Sequence, residues 1–214
     1  MTPDSANKQN PIGRRRTLFC LSVIAVVCIV VYSNSYEGPF VFDDLHNISE
    51  NHFLRMTQLD WQSLYNAGFR SPLENRFVAN ISFALNYYLG GYHVGGYHLI
   101  NVLIHMITGM LVFFLAGALL RTPGILPVPN TGGASRPFSP QSPERTILIP
   151  LFAALIFIAH PVQTQSVTYI VQRMNSMAVM FYLAALLLFI LGRMRPGEWK
   201  RWALYLGALV SWAM

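Results

Sequence analysis

Long apolar segments alternate with polar segments along this chain, in the pattern typical of a membrane protein with several spanning helices. The apolar stretch at residues 97–120 is long enough for the roughly 20 residues that a bilayer requires. The stretch at residues 147–160 is shorter and stops at Pro161. The pattern predicts spans at residues 17–33, 97–120, 147–160 and 176–192, with residues 202–214 as the start of a fifth span that is cut off. We therefore expect an all-α integral membrane fold.

The polar segments between these spans differ in charge, and the difference predicts an orientation. If residues 1–16 are a cytoplasmic tail, the tail and the other inner segments hold 11 of the 15 lysines and arginines. This distribution follows the positive-inside rule. Six of the nine acids lie in residues 34–96, a large first loop that we place outside, in the periplasm. Residues 121–146, rich in proline, are expected to form a flexible inner loop, and residues 161–175 a short outer loop.

The first apolar segment follows Arg14, Arg15 and Arg16, so it has three possible interpretations. No small-x-small cleavage site precedes Glu37, which favours a retained membrane anchor. A cleaved signal peptide is the alternative, and a twin-arginine export signal is a weaker one.

The first outer loop contains two stretches that could form surface helices. Residues 77–89 mix aromatic and polar side chains, as helices at headgroup depth do. Residues 54–65 are a candidate for a second short surface helix.

Composition excludes several other classes of protein. The chain is 53% hydrophobic and only 11% charged, whereas soluble domains have roughly 25% charged residues. The net charge of +6 comes from short loops beside apolar segments, so we expect no nucleic-acid partner. Cys20 and Cys28 both fall in the first apolar stretch, where we expect no disulfide. The sequence contains no zinc or dinucleotide-binding motif.

Two adjacent acids, Asp43 and Asp44, are the best candidates for chemistry. They follow the first apolar segment by about ten residues. An acid pair just outside a membrane face could take a proton from a substrate at that face. The alternative is a solvated loop with ordinary carboxylates.

Three polar residues of the second predicted span share one helical face. His98, Asn101 and His105 recur at spacings of three and four. Ionisable groups inside a bilayer usually face the bundle interior and mark function, so these residues could line a site. The alternative is a polar stripe that hydrogen-bonds neighbouring helices. A metal would need further ligands, and no tight ligand motif is present.

The short outer loop is dense in hydrogen-bonding groups, among them His160 and Gln165, and ends at Arg173. An arginine at the outer face suits a phosphate, because its planar fork donates two parallel hydrogen bonds. Arg76 has the same interpretation in the first loop. Either arginine could instead anchor a helix end to lipid headgroups. Together, outer acids and outer arginines at a lipid surface indicate a phospholipid-linked substrate.

Three blocks of residues carry a family resemblance. The chain resembles the transmembrane O-mannosyltransferases that carry tetratricopeptide repeats, and their bacterial relatives, within the GT-C glycosyltransferases. The blocks are Phe42-Asp43-Asp44 with Asn47, Ile48 and Asn51; Arg76 with Ser82-Phe83, Leu85-Asn86-Tyr87, Leu89-Gly90-Gly91, Tyr97-His98-Leu99-Ile100-Asn101-Val102 and His105; and His160-Pro161-Val162 with Thr164, Val167 and Arg173.

This resemblance implies a multi-span helical enzyme, which we expect in a bacterial inner membrane. It implies transfer of a sugar, often mannose, from a polyprenyl phosphate to a hydroxyl acceptor on protein Ser/Thr or a cell-surface glycan. Asp43 or Asp44 would be the general base, and Arg76 or Arg173 would stabilise the phosphate leaving group. No cofactor follows from it, although a divalent metal is possible.

The chain also departs from the family pattern. Phe77 follows the arginine where animal members tend to have proline, and Gln165 and Asn175 replace acids, so the resemblance implies no third acidic participant in this chain. A core of about seven spans is the family expectation, which predicts a truncated product or a downstream chain that completes it. We expect the chain alone to be marginally folded. The competing hypotheses are a non-catalytic membrane subunit and a lipid or solute transporter.

Overall fold

The computed structural model describes residues 11–122, 145–194 and 197–214, and every regular element within them is helical. The α-helices are α1 (Pro11–Tyr32), α2 (Trp61–Phe69), α3 (Phe77–Gly90), α4 (Val94–Arg121), α5 (Arg145–Ala159), α6 (Thr164–Thr168), α7 (Arg173–Met194) and α8 (Glu198–Ala213). Part of the predicted inner loop lies outside the described residues. The predicted all-α membrane fold is confirmed.

Three stretches are long and apolar enough to cross a bilayer: Gly13–Ser35, Val94–Arg121 and Ile170–Met194. A fourth crossing exists if the bent pair Ile147–Ala159 and Pro161–Thr168 is one broken span. The two halves of this pair meet at an angle of 51°. The bend occurs at Pro161, which cannot donate a backbone hydrogen bond to continue a helix. The predicted fifth span, in the region of α8, stays a prediction.

Helix α4 is the centre of the bundle and packs against α1, α5 and α7. Gly109 allows the backbone of α4 to lie close to α5. A Cβ atom at this position would lie 2.7 Å from Cγ1 of Ile158 and closer still to its Cδ1. Ile158 is fully buried, and Ile24 of α1 lies on the same side. The small residue therefore sets the distance between the two helices.

Two apolar clusters stabilise the described part of the chain. One joins α1, α4 and α5 through residues such as Cys28, Val102 and Ile158. The other joins the first loop to α4 and α7, through residues such as Ile48 and Phe83. The first loop is thus packed onto the bundle and does not extend freely from it.

Within the first loop, α3 covers the stretch predicted as helical at residues 77–89. The second predicted surface helix, at residues 54–65, is displaced: the observed helix is Trp61–Phe69. Its start is decided by Asp60, whose carboxylate accepts a 2.7 Å hydrogen bond from the backbone N–H of Ser63. Such a cap satisfies one of the free N–H groups of the first turn.

Candidate functional site

The acid pair follows a strained turn at Phe42. This residue has a φ of 45°, in the left-handed region that non-glycine residues rarely adopt. The residue is 84% exposed. After this turn the two acids have different environments: Asp43 is exposed, and Asp44 is completely buried. The sequence left open which acid could act, and the structure separates them by accessibility.

Both carboxylate oxygens of Asp44 are held by backbone groups. Oδ2 accepts a 3.0 Å hydrogen bond from the N–H of Val41, and Oδ1 accepts one of 2.6 Å from the N–H of Val171. Burial raises the pKa of Asp44, and the charge of Asp43 raises it further. The two N–H groups and the charge of His98 lower this pKa. Asp44 therefore anchors the first loop to the segment before α7.

Asp43 is positioned through its backbone, which leaves its carboxylate exposed. Its N–H donates a 2.9 Å hydrogen bond to the hydroxyl oxygen of Tyr169, and its carbonyl accepts one of 2.9 Å from the side-chain amide of Asn47. Tyr169 also lines an open groove of about 680 Å³ between the Phe42 turn and the outer hairpin, the segment of residues 160–172 that joins α5 to α7. The groove is lined by Val41, Phe42, Pro161, Val162, Thr164, Gln165, Thr168 and Tyr169. Asp43 thus lies next to a ligand-sized groove.

Arg173 is buried completely, and protein groups accept its hydrogen bonds. Nε donates to Oδ1 of Asn101 at 2.8 Å, and Nη2 donates to the carbonyl of Tyr97 at 2.8 Å. Nη1 donates to Oδ1 of Asn86 at 2.7 Å and to the hydroxyl of Ser82 at 3.2 Å.

The guanidinium carbon of Arg173 lies 4.3 Å from the ring centre of Phe83. Among the described residues, no carboxylate forms an ion pair with it. Polar acceptors and an aromatic face thus stabilise this cation, which ties α3 and α4 to the start of α7.

Asn101 of α4 donates hydrogen bonds to backbone carbonyls of the outer hairpin. Its side-chain NH₂ group lies 3.2 Å from the carbonyl of Val167 and 3.3 Å from that of Ile170, while its oxygen accepts from Arg173. These carbonyls lie on either side of Tyr169 in the chain, so Asn101 helps to position the tyrosine whose hydroxyl accepts a hydrogen bond from Asp43.

The two histidines of α4 are buried and directed at backbone carbonyls. His98 Nε2 donates to Gly38 at 2.9 Å, and His105 Nε2 donates to Ile158 at 3.3 Å. His98 Nδ1 is buried and has no partner among the described residues. The geometry matches the polar-stripe alternative, in which these side chains connect α4 to neighbouring segments.

The remaining predicted site residues are His160, Gln165 and Arg76, and each has a different environment. His160 Nδ1 accepts a 3.2 Å hydrogen bond from the N–H of Val162 and so caps the turn after α5. Gln165 lines the groove beside Tyr169. Arg76 lines a small cavity with Met174 and Met177. Arg76 is not among the groove-lining residues.

Sequence reasoning missed Tyr169 and Asn86 as parts of this site. Asn86 lies in a block that carries the resemblance, and Tyr169 lies in the predicted short outer loop. Neither residue type indicates from the sequence alone which group it will contact. In the described ranges, 11–122, 145–194 and 197–214, no three His, Cys, Asp or Glu side chains converge as a metal site would require.

The curated relatives of this chain are sugar transferases by name. The protein O-mannosyl-transferase Tmtc3 of Drosophila melanogaster is 30% identical over 180 residues, which cover 81% of this chain and 19% of the relative. The protein O-mannosyl-transferase TMTC4 of Homo sapiens is 32% identical over 177 residues, which cover 77% of this chain and 22% of the relative. The resemblance to the transmembrane O-mannosyltransferases is confirmed.

A third relative, the protein O-mannosyl-transferase TMTC2 of Mus musculus, is 28% identical over 195 residues, or 86% of this chain and 20% of the relative. The chain thus spans about a fifth of the length of the curated relatives that it matches. No family model matches the chain, and no solved structure matches it.

Proposed function

We propose that this chain is a glycosyltransferase module that moves a sugar, mannose by similarity to its relatives, from a polyprenyl phosphate to a hydroxyl acceptor. The observation that carries the proposal is the exposed Asp43, held by Tyr169 at the edge of the groove. The names of the relatives support the class of reaction. The positive-inside rule supports a site on the outer face.

In the proposed reaction, the carboxylate of Asp43 takes the proton of the acceptor hydroxyl. The acceptor oxygen forms a bond to the anomeric carbon of the sugar while the bond from that carbon to the phosphate oxygen breaks. The products are a glycosylated acceptor and the polyprenyl phosphate. Asp43 suits the role of base because its carboxylate is accessible, whereas both oxygens of Asp44 are occupied.

Tyr169 is proposed to contact the reacting groups as well. Its oxygen accepts from the N–H of Asp43, which leaves its own hydroxyl proton free to be donated. A substrate oxygen in the groove is a suitable acceptor for that proton. The hydrogen bond would stabilise negative charge that develops on the substrate during transfer.

The two arginines receive different roles. Arg173 is fully buried and bonded to protein acceptors, so we propose that it positions the outer hairpin and does not bind the donor phosphate. Arg76 is only half-buried, and we propose it as the contact for the lipid phosphate. The donor would then have to extend from Arg76 towards the groove.

The groove itself is lined by neutral side chains. Valine, proline and phenylalanine form part of its surface, and threonine, glutamine and tyrosine form the rest. This lining favours an uncharged portion of a substrate, such as the sugar or the acceptor, over a phosphate.

The transporter hypothesis loses its main support. His98, Asn101 and His105 would line its path, yet their side chains donate to backbone carbonyls. A measurement of sugar transfer by this chain tests the alternative that it is a non-catalytic subunit.

The test is transfer of radiolabelled mannose from polyprenyl-phosphate-mannose by membranes that contain the chain, with and without the downstream gene product. Asp43→Asn should abolish transfer at unchanged expression. Asp60→Asn is the matched control, because Asp60 is an exposed acid of the same loop that caps α2. Full activity of Asp43→Asn would contradict the proposed base. Absence of transfer from the unaltered chain in both preparations would favour the non-catalytic alternative.

A further inference from the structure

A second recess lies at the opposite end of the bundle, where α1 begins and α4 and α7 end. It is a cleft of about 370 Å³ between α1, α4, α5 and α7. This volume is within the range of roughly 300–1,000 Å³ that ligand pockets occupy. Nothing in the proposed reaction uses it.

The shape of the cleft follows from small residues that face a helix-internal proline. Gly117 of α4 lies opposite Pro150 of α5, and a Cβ atom at Gly117 would be 3.7 Å from the proline ring. Phe113 of α4 and Leu187 and Leu191 of α7 form the apolar walls. The cleft therefore suits a hydrocarbon chain.

One end of the same cleft is cationic. Arg121, one helical turn beyond Gly117, lines it together with Thr17. Arg14 lies three residues before Thr17 on α1, about 4.5 Å along the helix axis. Arg193 immediately precedes Met194, another lining residue. Among the residues that the structure describes, no acid lines the cleft. An apolar cleft with a cationic end is complementary to an anionic lipid.

We propose that this cleft binds one anionic phospholipid of the surrounding leaflet. An acyl chain would occupy the space over Gly117, and the phosphate would bind the guanidinium of Arg121. Arginine suits this contact because it can donate two parallel hydrogen bonds to a phosphate. Basic pockets between spanning helices at the cytoplasmic side recognise anionic headgroups in this way. The positive-inside rule places this end of the bundle at the cytoplasmic leaflet.

The first test compares the purified full chain in nanodiscs of phosphatidylcholine alone with nanodiscs that also contain phosphatidylglycerol. Thermal unfolding and the lipids retained in native mass spectrometry are the two readouts. Phosphatidylglycerol should raise the unfolding temperature and be retained preferentially. Arg121→Gln should lower its retention about fivefold, as expected for one basic residue near an anionic headgroup.

Arg70→Gln is the matched control, since Arg70 is an exposed arginine of the first loop, away from the cleft. It should leave retention unchanged. Equal losses in the two variants would indicate general charge attraction and overturn a specific site. Unchanged retention in Arg121→Gln would overturn the proposal directly.

A second variant tests the apolar half of the site without a change in charge. Gly117→Leu should fill the cleft and reduce retention of phosphatidylglycerol, whereas Ala116→Leu, at a neighbouring position that does not line the cleft, should not. Unfolding in phosphatidylcholine alone shows whether either variant is misfolded. Retention that survives Gly117→Leu in a folded protein would contradict the proposal.

Discussion

The carboxylate of Asp44 accepts a 2.6 Å hydrogen bond from the backbone N–H of Val171, a residue 127 positions later in the chain. This contact joins the first loop to the segment that leads into α7. Next to it, the N–H of Asp43 donates to Tyr169, and Asn101 holds the carbonyls on either side of that tyrosine. The candidate base is therefore positioned by a network of hydrogen bonds that its buried neighbour helps to maintain.

The two acids should respond differently to substitution. Asp44→Ala leaves the buried N–H groups of Val41 and Val171 without an acceptor, which costs about 1–3 kcal/mol for each unsatisfied group. Asp43→Ala removes an exposed carboxylate and should change stability by less than about 0.5 kcal/mol. Chemical denaturation in detergent measures both variants. Equal destabilisation would contradict the division of roles.

The raised pKa of Asp44 predicts a pH dependence of stability. Because burial favours the protonated form, the folded state binds more protons than the unfolded state between the ordinary pKa of about 3.9 and the raised value. The contribution of Asp44 to stability is therefore present at low pH and is lost as the pH rises through its folded pKa. Unfolding temperatures of the unaltered chain and Asp44→Asn across that range measure the effect.

Asp60 serves as the internal comparison, because its pKa is lowered, first of all by the hydrogen bond from the N–H of Ser63. Its contribution has the opposite sign and is lost as the pH falls through its folded pKa. Asp60→Asn should therefore change the profile in the opposite direction to Asp44→Asn. If the two substitutions changed the dependence of unfolding temperature on pH in the same direction, the opposite pKa shifts of Asp44 and Asp60 would be contradicted.

Arg173→Lys should destabilise the protein although the charge is kept. A lysine lacks the planar fork that reaches Asn101, Asn86 and the carbonyl of Tyr97 at once, and the lost charge-assisted hydrogen bonds cost about 1.5–3 kcal/mol each. Arg193→Lys, at an exposed position in the last turn of α7, is the control and should be close to neutral. The free energy of unfolding of the two variants in detergent is the measurement that distinguishes Arg173→Lys from Arg193→Lys.

Gly109→Ala should cost about 1–3 kcal/mol, the typical effect of an overpacked core. The added methyl group would overlap the buried side chain of Ile158. Ile158→Val removes the Cδ1 atom and should recover part of the loss in the double variant. Gly13→Ala is the control, since a Cβ atom there has nothing within 4 Å. A fully tolerated Gly109→Ala would show that α4 and α5 are not in close contact.

Tyr169→Phe tests the link between the outer hairpin and Asp43. The ring remains in the groove, but the hydroxyl that accepts from Asp43 is lost. If the proposed function is correct, kcat should fall about 10²–10³-fold, as for loss of one donor to a developing charge, while stability changes little. Tyr182→Phe, the same substitution at an exposed tyrosine of α7 that does not line the groove, is the control and should keep full activity. Equal activity of Tyr169→Phe and the unaltered chain would exclude Tyr169 from the reaction.

Hydropathy and residue spacing were sufficient to predict the helical membrane fold and the shared face of His98, Asn101 and His105. These features are local, because bilayer thickness sets the length of an apolar segment and helical periodicity sets which residues share a face. The start of α2 was mispredicted, since one cap at Asp60 outweighed the apolar pattern of residues 54–65.

Tertiary packing alone decided the roles of individual side chains. Asp43 and Asp44 are neighbours of the same type, yet one is exposed and the other is buried against Val171. Arg173 follows a polar loop in the sequence, and only the fold surrounds it with acceptors from α3 and α4. Partners of this kind are brought together from distant parts of the chain, and their contact depends on how helices pack. The spacing of residues along a sequence carries no direct record of that packing.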